Sequence, residues 1–112
     1  MAQFDVIIRG TGMGHCDEVL SETLMKGYIH TLTQKAELPG HIILYGEGVK
    51  LCCTGSESIE DLKALIEKGV KVLSCGICLD FYELSDDLQV GGTTTMGEVA
   101  DIVAKSACIF EP

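Results

Sequence analysis

Cys75 and Cys78, in the run Cys75-Gly76-Ile77-Cys78, are the residues of this sequence best suited to chemistry. A thiolate at Cys75 could attack a sulfane sulfur and carry it as a persulfide, which is nucleophilic catalysis by cysteine. Cys78 could then resolve that persulfide, forming a disulfide and releasing sulfide. The spacing leaves other chemistry open. A Cys-x-x-Cys after a strand also suits a thioredoxin-like redox site. The only prolines are Pro39 and Pro112, however, so none lies at a later strand-to-loop position. Zinc would need two further ligands. Cys52 and Cys53 could supply one or both, though structural zinc sites usually use a second spaced pair. A third alternative is that the thiols are buried filler, since free cysteine packs as a small hydrophobe.

A second cluster is Gly10-Thr11-Gly12-Met13-Gly14-His15-Cys16. Backbone N–H groups between a strand and a helix can hold an anion, so Gly12, Met13, Gly14, His15 and Cys16 are candidate substrate-binding residues. The dinucleotide fingerprint requires glycine at its sixth position, where His15 stands, and the Walker pattern is absent. Nucleotide binding is therefore disfavoured, and a glycine-dependent turn is the simpler account. A thiol at Cys16, near a helix start, would ionise more readily than usual. Arg9 could meet an anion there or simply face water. Cys52, Cys53 and Cys108 are expected to be core thiols, Cys108 inside an apolar strand, with His30 and His41 similarly packed. The expected metal set is empty, and no cofactor is called for.

The elements that must position these residues can be read from apolar periodicity. Phe4 to Ile8 predicts a buried strand. A helix from about Asp17 to Lys35 follows, with Leu20, Leu24, Tyr28 and Leu32 at four-residue spacing, flanked by Val19, Met25 and Ile29. Gly27 inside it is expected to allow close packing. Pro39-Gly40 precedes a second strand, His41 to Tyr45. Val49 to Cys53 fits either a short strand or a helical turn. Ser56 or Ser58 caps a helix with Ile59, Leu62, Leu65 and Ile66 on one face, and Gly69 occupies the C′ position. Val70 to Ser74 is the third strand, placing Cys75 in the loop after it. Asp80 to Leu84 suggests a short helix. Thr93 to Thr95 reads as loop plus cap, and Thr95-Met96-Gly97-Glu98 as a capping box opening a helix to about Lys105. Ala107 to Phe110 is a final strand. Strands alternating with helices predict an α/β three-layer sandwich around a mostly parallel sheet of four to five strands. Ligands in such sheets bind outside the carboxyl ends of the strands, where Cys75 sits.

Bulk properties narrow the classes. At 112 residues the chain fits one domain. Its 46% apolar content excludes a disordered chain. No apolar run approaches the roughly 18 residues a membrane span needs, and no basic segment precedes Phe4 to suggest a signal peptide. The net charge of −9 would repel phosphate backbones, which argues against nucleic acid; a solvated surface is the simpler account of it, and a basic protein partner the sharper one. Six cysteines without a secretion signal fit reduced thiols in a cytoplasmic protein.

Several stretches together resemble one family. Met13 to Glu18, Leu24 to Leu32, Leu44 to Leu51, Gly55-Ser56-Glu57 and Leu62 to Gly69, then Cys75-Gly76-Ile77-Cys78-Leu79-Asp80-Phe81-Tyr82, are similar to the DsrE-like domain of YedF-type selenium metabolism proteins, in family order over nearly the whole chain. The resemblance implies a DsrE/DsrF-like fold spanning residues 1–112, often assembled as trimers or hexamers. It further implies sulfur, or selenium, carried on the cysteine that matches Cys75, with Cys78 matching the second cysteine of the YedF-type pattern. A TusA-like sulfur carrier, as a protein or a domain, is the implied partner. Such a domain usually precedes this one; 112 residues leave it no room, so a standalone relative or an excised domain is expected. Two departures stand out: the Arg9-Gly10-Thr11-Gly12 loop is richer in glycine than the family pattern, and Cys16 stands where glycine is usual.

Overall fold

Short apolar runs build the sheet. In the computed structural model, which describes residues 4–112, the strands are β1 (Asp5–Ile8), β2 (His41–Leu44), β3 (Lys71–Cys75), β4 (Gly92–Thr94) and β5 (Ile109–Phe110). The helices are α1 (Glu18–Leu32), α2 (Ile59–Glu67), α3 (Gly76–Phe81) and α4 (Met96–Lys105), with 3-10 segments at Gly46–Cys52 and Ser85–Asp87. The strand order is β4-β3-β2-β1-β5, and every strand pair is parallel. The fold class expected from the sequence, an α/β sandwich around a mostly parallel sheet of four to five strands, is the one found. Among the described residues no helix is long and apolar enough to cross a membrane.

Register decides which side chains share a face. Val6 pairs with Ile42 and Ile42 with Val72, while Ile8 pairs with Leu44 and Leu44 with Ser74. Since side chains alternate along a strand, these six point one way, and Ile7, Ile43 and Leu73 point the other. The first face packs with Met25, Ile29 and Leu32 of α1, Leu62 and Leu65 of α2, and Val49 and Cys52 of the 3-10 segment, all buried. Right-handed crossovers put α1 and α2 on that face, because β1, β2 and β3 step in one direction. The return from β4 to β5, at the far edge, must then cross the opposite face, and α4 makes it.

The elements differ from expectation in several places, the short helix expected at Asp80 to Leu84 beginning already at Gly76 and ending at Phe81. The strand predicted at Ala107 shrinks to two residues, and Cys108 is exposed rather than a core thiol. The buried stripe of α1 is Met25, Ile29 and Leu32, whereas Val19, Leu20 and Leu24 are exposed. A four-residue spacing drifts about 40° per step around a helix, so residues 20 to 32 cannot all face one flat sheet. Gly27 is exposed and nothing approaches it. Of the two alternatives for Val49 to Cys53 the helical turn is found, in a 3-10 segment that ends at Cys52, and the fifth strand is β4, formed by residues expected in a loop.

Local chemistry terminates the helices. Asp17 caps α1, its carboxylate accepting from the N–H groups of Val19 and Leu20. Ser58 is the N-cap residue of α2 without a side-chain bond of its own. After α2, the Gly69 N–H donates to Ile66 O and the Val70 N–H to Leu65 O, with Gly69 at φ +101°. That is the Schellman arrangement, and buried Leu65 and Val70 accompany it. Thr95 caps α4, its hydroxyl accepting from the Glu98 N–H at 3.2 Å as expected.

His30 and His41 lie against carboxylates rather than packing in the core. His30 is exposed with Nδ1 3.1 Å from Asp61, and His41 is half-buried with Nδ1 2.8 Å from Asp5. Asp5 also accepts from the His41 N–H and from the Ser106 hydroxyl, tying the starts of β1 and β2 to the segment before β5. Burial pushes this carboxyl up, but the Ser106 hydroxyl and then His41 outweigh it and hold it below its ordinary value.

Candidate functional site

β3 runs straight into α3. The sequence places Cys75 in a loop, but it is the last residue of the strand and the N-cap position of the helix. It pairs in register with Thr94 of β4, and it belongs to the buried cluster that includes Leu79, Val72 and Leu44. Both are buried, Cys75 to 2% exposure and Thr94 to 5%. The Thr94 hydroxyl donates to the Glu98 carboxylate. Connections from β3 and β4 leave toward opposite faces, so the ends of these adjacent strands form the switch point at which parallel sheets bind ligands.

Cys78 follows one turn along α3 and is half-buried. The backbone N–H of Gly46, just beyond β2, donates to its Sγ at 3.1 Å. Sequence reasoning missed this contact; the only signal was a glycine directly after an apolar strand. Burial raises the Cys78 thiol above its ordinary value, the Gly46 N–H opposes that rise, and the neighbouring Cys75 thiol adds to it. At the end of the helix, Tyr82 lies under Lys50, whose Nζ is 4.8 Å from the ring centre and 3.0 Å from Glu47. Lys50 at this end of α3 is thus already partnered.

The loop after β1 lies at the same edge of the sheet but two strands away. Gly12 packs against α1 so closely that a Cβ would sit 2.2 Å from Ser21 Oγ. Met13 and Ser21 are doubly tied, Met13 N–H to Ser21 O at 3.1 Å and Ser21 Oγ to Met13 O at 3.0 Å. Gly14, His15 and Cys16 are exposed. Arg9, Gly12, Gly14 and His15 line an open depression of about 420 Å³, where Arg9 approaches Glu111 at 3.8 Å. No hydrogen bond among the described residues joins residues 10–16 to Cys75 or Cys78.

The remaining thiols divide by burial. Cys52 and Cys53 are core thiols as expected, and burial pushes Cys52 up to about 11, Ser74's hydroxyl moderating and Cys53 adding to the shift. Cys53 donates to Val49 O at 3.2 Å. All six cysteines are free. Among the described residues no three His, Cys, Asp or Glu side chains converge as metal ligands would, so Cys75 and Cys78 find no companions for zinc.

No family model and no curated protein matches the chain. Solved structures do share its fold. The ychN protein from E. coli superposes with a TM-score of 0.72 at 19% identity over 100% of both chains. The protein of unknown function MTH1491 from Methanobacterium thermoautotrophicum gives 0.71 at 17% identity, also over 100% of both. The conserved protein of unknown function BT1422 from Bacteroides thetaiotaomicron gives 0.68 at 13%, covering 98% of this chain and 95% of that one. At these identities the likeness is one of fold.

Proposed function

We propose that the chain carries sulfur, or selenium, on the Cys75–Cys78 pair, as a relay protein of the DsrE/DsrF-like kind. A thiolate of the pair attacks the terminal sulfur of a donor persulfide. The new S–S bond forms as the donor's S–S bond breaks, and the donor leaves as a thiol. An acceptor thiolate then removes the sulfur in the same way. Alternatively the second thiol attacks the inner sulfur, giving a Cys75–Cys78 disulfide and sulfide. The disulfide would need an external dithiol to return to the two thiols.

The observation that carries this proposal is two free thiols three residues apart at the carboxyl end of β3, one of them held by a backbone N–H. The resemblance of Cys75 through Tyr82 to the YedF-type pattern assigns the persulfide to Cys75. The exposures favour Cys78 as the thiol that meets the donor first, and exchange between the two would pass the sulfur inward. The proposal includes a TusA-like carrier as exchange partner, self-association as trimer or hexamer, and a cytoplasmic setting.

A non-catalytic assembly module with structural thiols is the second reading. The near-complete burial of Cys75 and the raised Cys78 thiol favour it. Intact mass after incubation with a persulfide donor tests the two, comparing wild type, Cys75→Ser and Cys78→Ser. The carrier requires one added sulfur, removed by reductant and lost in at least one of the variants. An adduct absent from all three proteins, or retained fully in both variants, refutes it.

A further inference from the structure

The outer side of α3 is apolar where a short surface helix would ordinarily be polar. Ile77 is 72% exposed and Phe81 78%, and they stand one turn apart on one side of the helix. Cys78 lies one residue round from Ile77, about 100° away, so anything seated on the apolar pair reaches the edge of the thiol. The surroundings are acidic. Asp80, Glu83, Asp86 and Asp87 fall within eight residues that contain no base. Asp80 is bonded to the Ser85 hydroxyl at 2.5 Å, and Lys50 faces Tyr82 and Glu47. Glu83 holds φ +57°, in the left-handed region that glycine favours at a helix C′ position. A carboxylate thus occupies a turn that glycine would fill more easily.

From this juxtaposition we propose that Ile77 and Phe81 form the docking knob for a partner protein whose contact surface is apolar at its centre and basic at its rim. The inference rests on the carrier proposal and names the partner chemistry of the same site. Charge decides the occupant. Two copies meeting symmetrically through this face would oppose two unneutralised acidic segments on chains that each carry −9. A basic rim is attracted instead, and it brings cations toward Cys78. Exposed apolar side chains ringed by polar residues are the usual mark of a recognition surface.

The test uses the full chain and two labelled cysteine-free peptides of equal length and equal apolar content, one with a Lys/Arg rim and the other with a Glu/Asp rim. Binding is read by fluorescence anisotropy at low and high salt, and thiol chemistry separately by alkylation with iodoacetamide. The cationic peptide is expected to bind at least tenfold tighter than the anionic one at low salt and to lose most of that advantage at high salt. Ile77→Ser/Phe81→Ser should weaken it at least fivefold. Glu83→Gln/Asp86→Asn, which leaves the apolar pair intact, should remove most of the salt dependence. Equal binding of the two peptides, or undiminished binding by both double variants, overturns the proposal. So does sedimentation showing wild-type self-association that is abolished by the Ile77/Phe81 change. Thiols that fail to alkylate while the cationic peptide still binds would refute the carrier and leave the docking face standing.

Discussion

Gly48→Ala is the sharpest test of how the 3-10 segment is seated beside the thiols. A Cβ on Gly48 would lie 2.6 Å from Ile8 O, 3.1 Å from Ile8 C and 3.3 Å from Gly10 N. All three are backbone atoms at the end of a central strand, so no side chain can swing aside. Ordinary contact begins at 3.4 Å, so the chain must separate by 3.4 − 2.6 = 0.8 Å. The Ile8 carbonyl also accepts the ladder bond from the Tyr45 N–H at 3.1 Å, which the same displacement would stretch beyond bonding distance. Losing that bond costs about 1 kcal/mol, and overpacking a tight site about 1–3 kcal/mol more. Alanine returns up to about 1 kcal/mol by restricting the unfolded chain. The expected net loss is about 2 kcal/mol, or roughly 8 °C in Tm for a chain of this size. Gly10→Ala is the control, since a Cβ there meets nothing within 4 Å and the backbone is not left-handed. It should be neutral or slightly stabilising. Urea unfolding followed by circular dichroism checks both through Cm, with m unchanged. A Gly48→Ala protein within 0.5 kcal/mol of wild type would show that the segment moves freely and is not held against β1.

Other expectations follow from the thiols, the carboxylate clamp and the helix ends. The pH profile of Cys78 alkylation should inflect above the ordinary cysteine value, and Cys75→Ser should move the inflection down, because Cys75 adds to the rise; an inflection below the ordinary value contradicts the burial argument. Asp5 has a lowered folded-state value, so its contribution is present above its unfolded value of 3.8 and is lost as pH falls through the lower folded one. Asp5→Asn should therefore cost about 2 kcal/mol at pH 6 and much less in strong acid, and a pH-independent difference in urea Cm would remove that account. Glu83→Gly should stabilise by about 1 kcal/mol by relieving the left-handed turn, while weakening cationic peptide binding; an unchanged Cm would show the turn to be unstrained.

Much of this architecture was legible in the sequence. Buried strands announce themselves as apolar runs, and Gly69 and Thr95 end or begin helices through chemistry that is local to a few residues. The missed features depend on partners distant in sequence. β4 is a strand because β3 lies beside it, and Gly-Thr-Thr carries no apolar signal of its own. The face of α1 that is buried is set by the sheet, not by the run of leucines. Cys108 reads as core because its neighbours are apolar, yet the strand it should belong to begins after it. The Gly46 N–H reaches Cys78 across 32 positions of sequence, and no spacing motif encodes such a contact.

The Cys-x-x-Cys was found from its spacing, but its electrostatics run against the simplest expectation for a reactive thiol. A helix begins at Gly76, yet burial outweighs the backbone donor at Cys78 and leaves that thiol harder to ionise. The proposed carrier, built this way, would resist stray exchange with small thiols and react poorly when alone. A positive charge brought to the thiol would promote its ionisation, and Lys50 is already placed against Tyr82 and Glu47. The basic-rimmed partner proposed for the Ile77–Phe81 knob would supply that charge, so docking and activation become one event. The consequence is measurable in the titration rather than the rate, since a bound peptide also hinders access. With the cationic peptide bound, the alkylation inflection of Cys78 should shift to lower pH, and with the anionic peptide it should not. An inflection that stays fixed under saturating cationic peptide would separate docking from activation and require the charge to come from the sulfur donor itself.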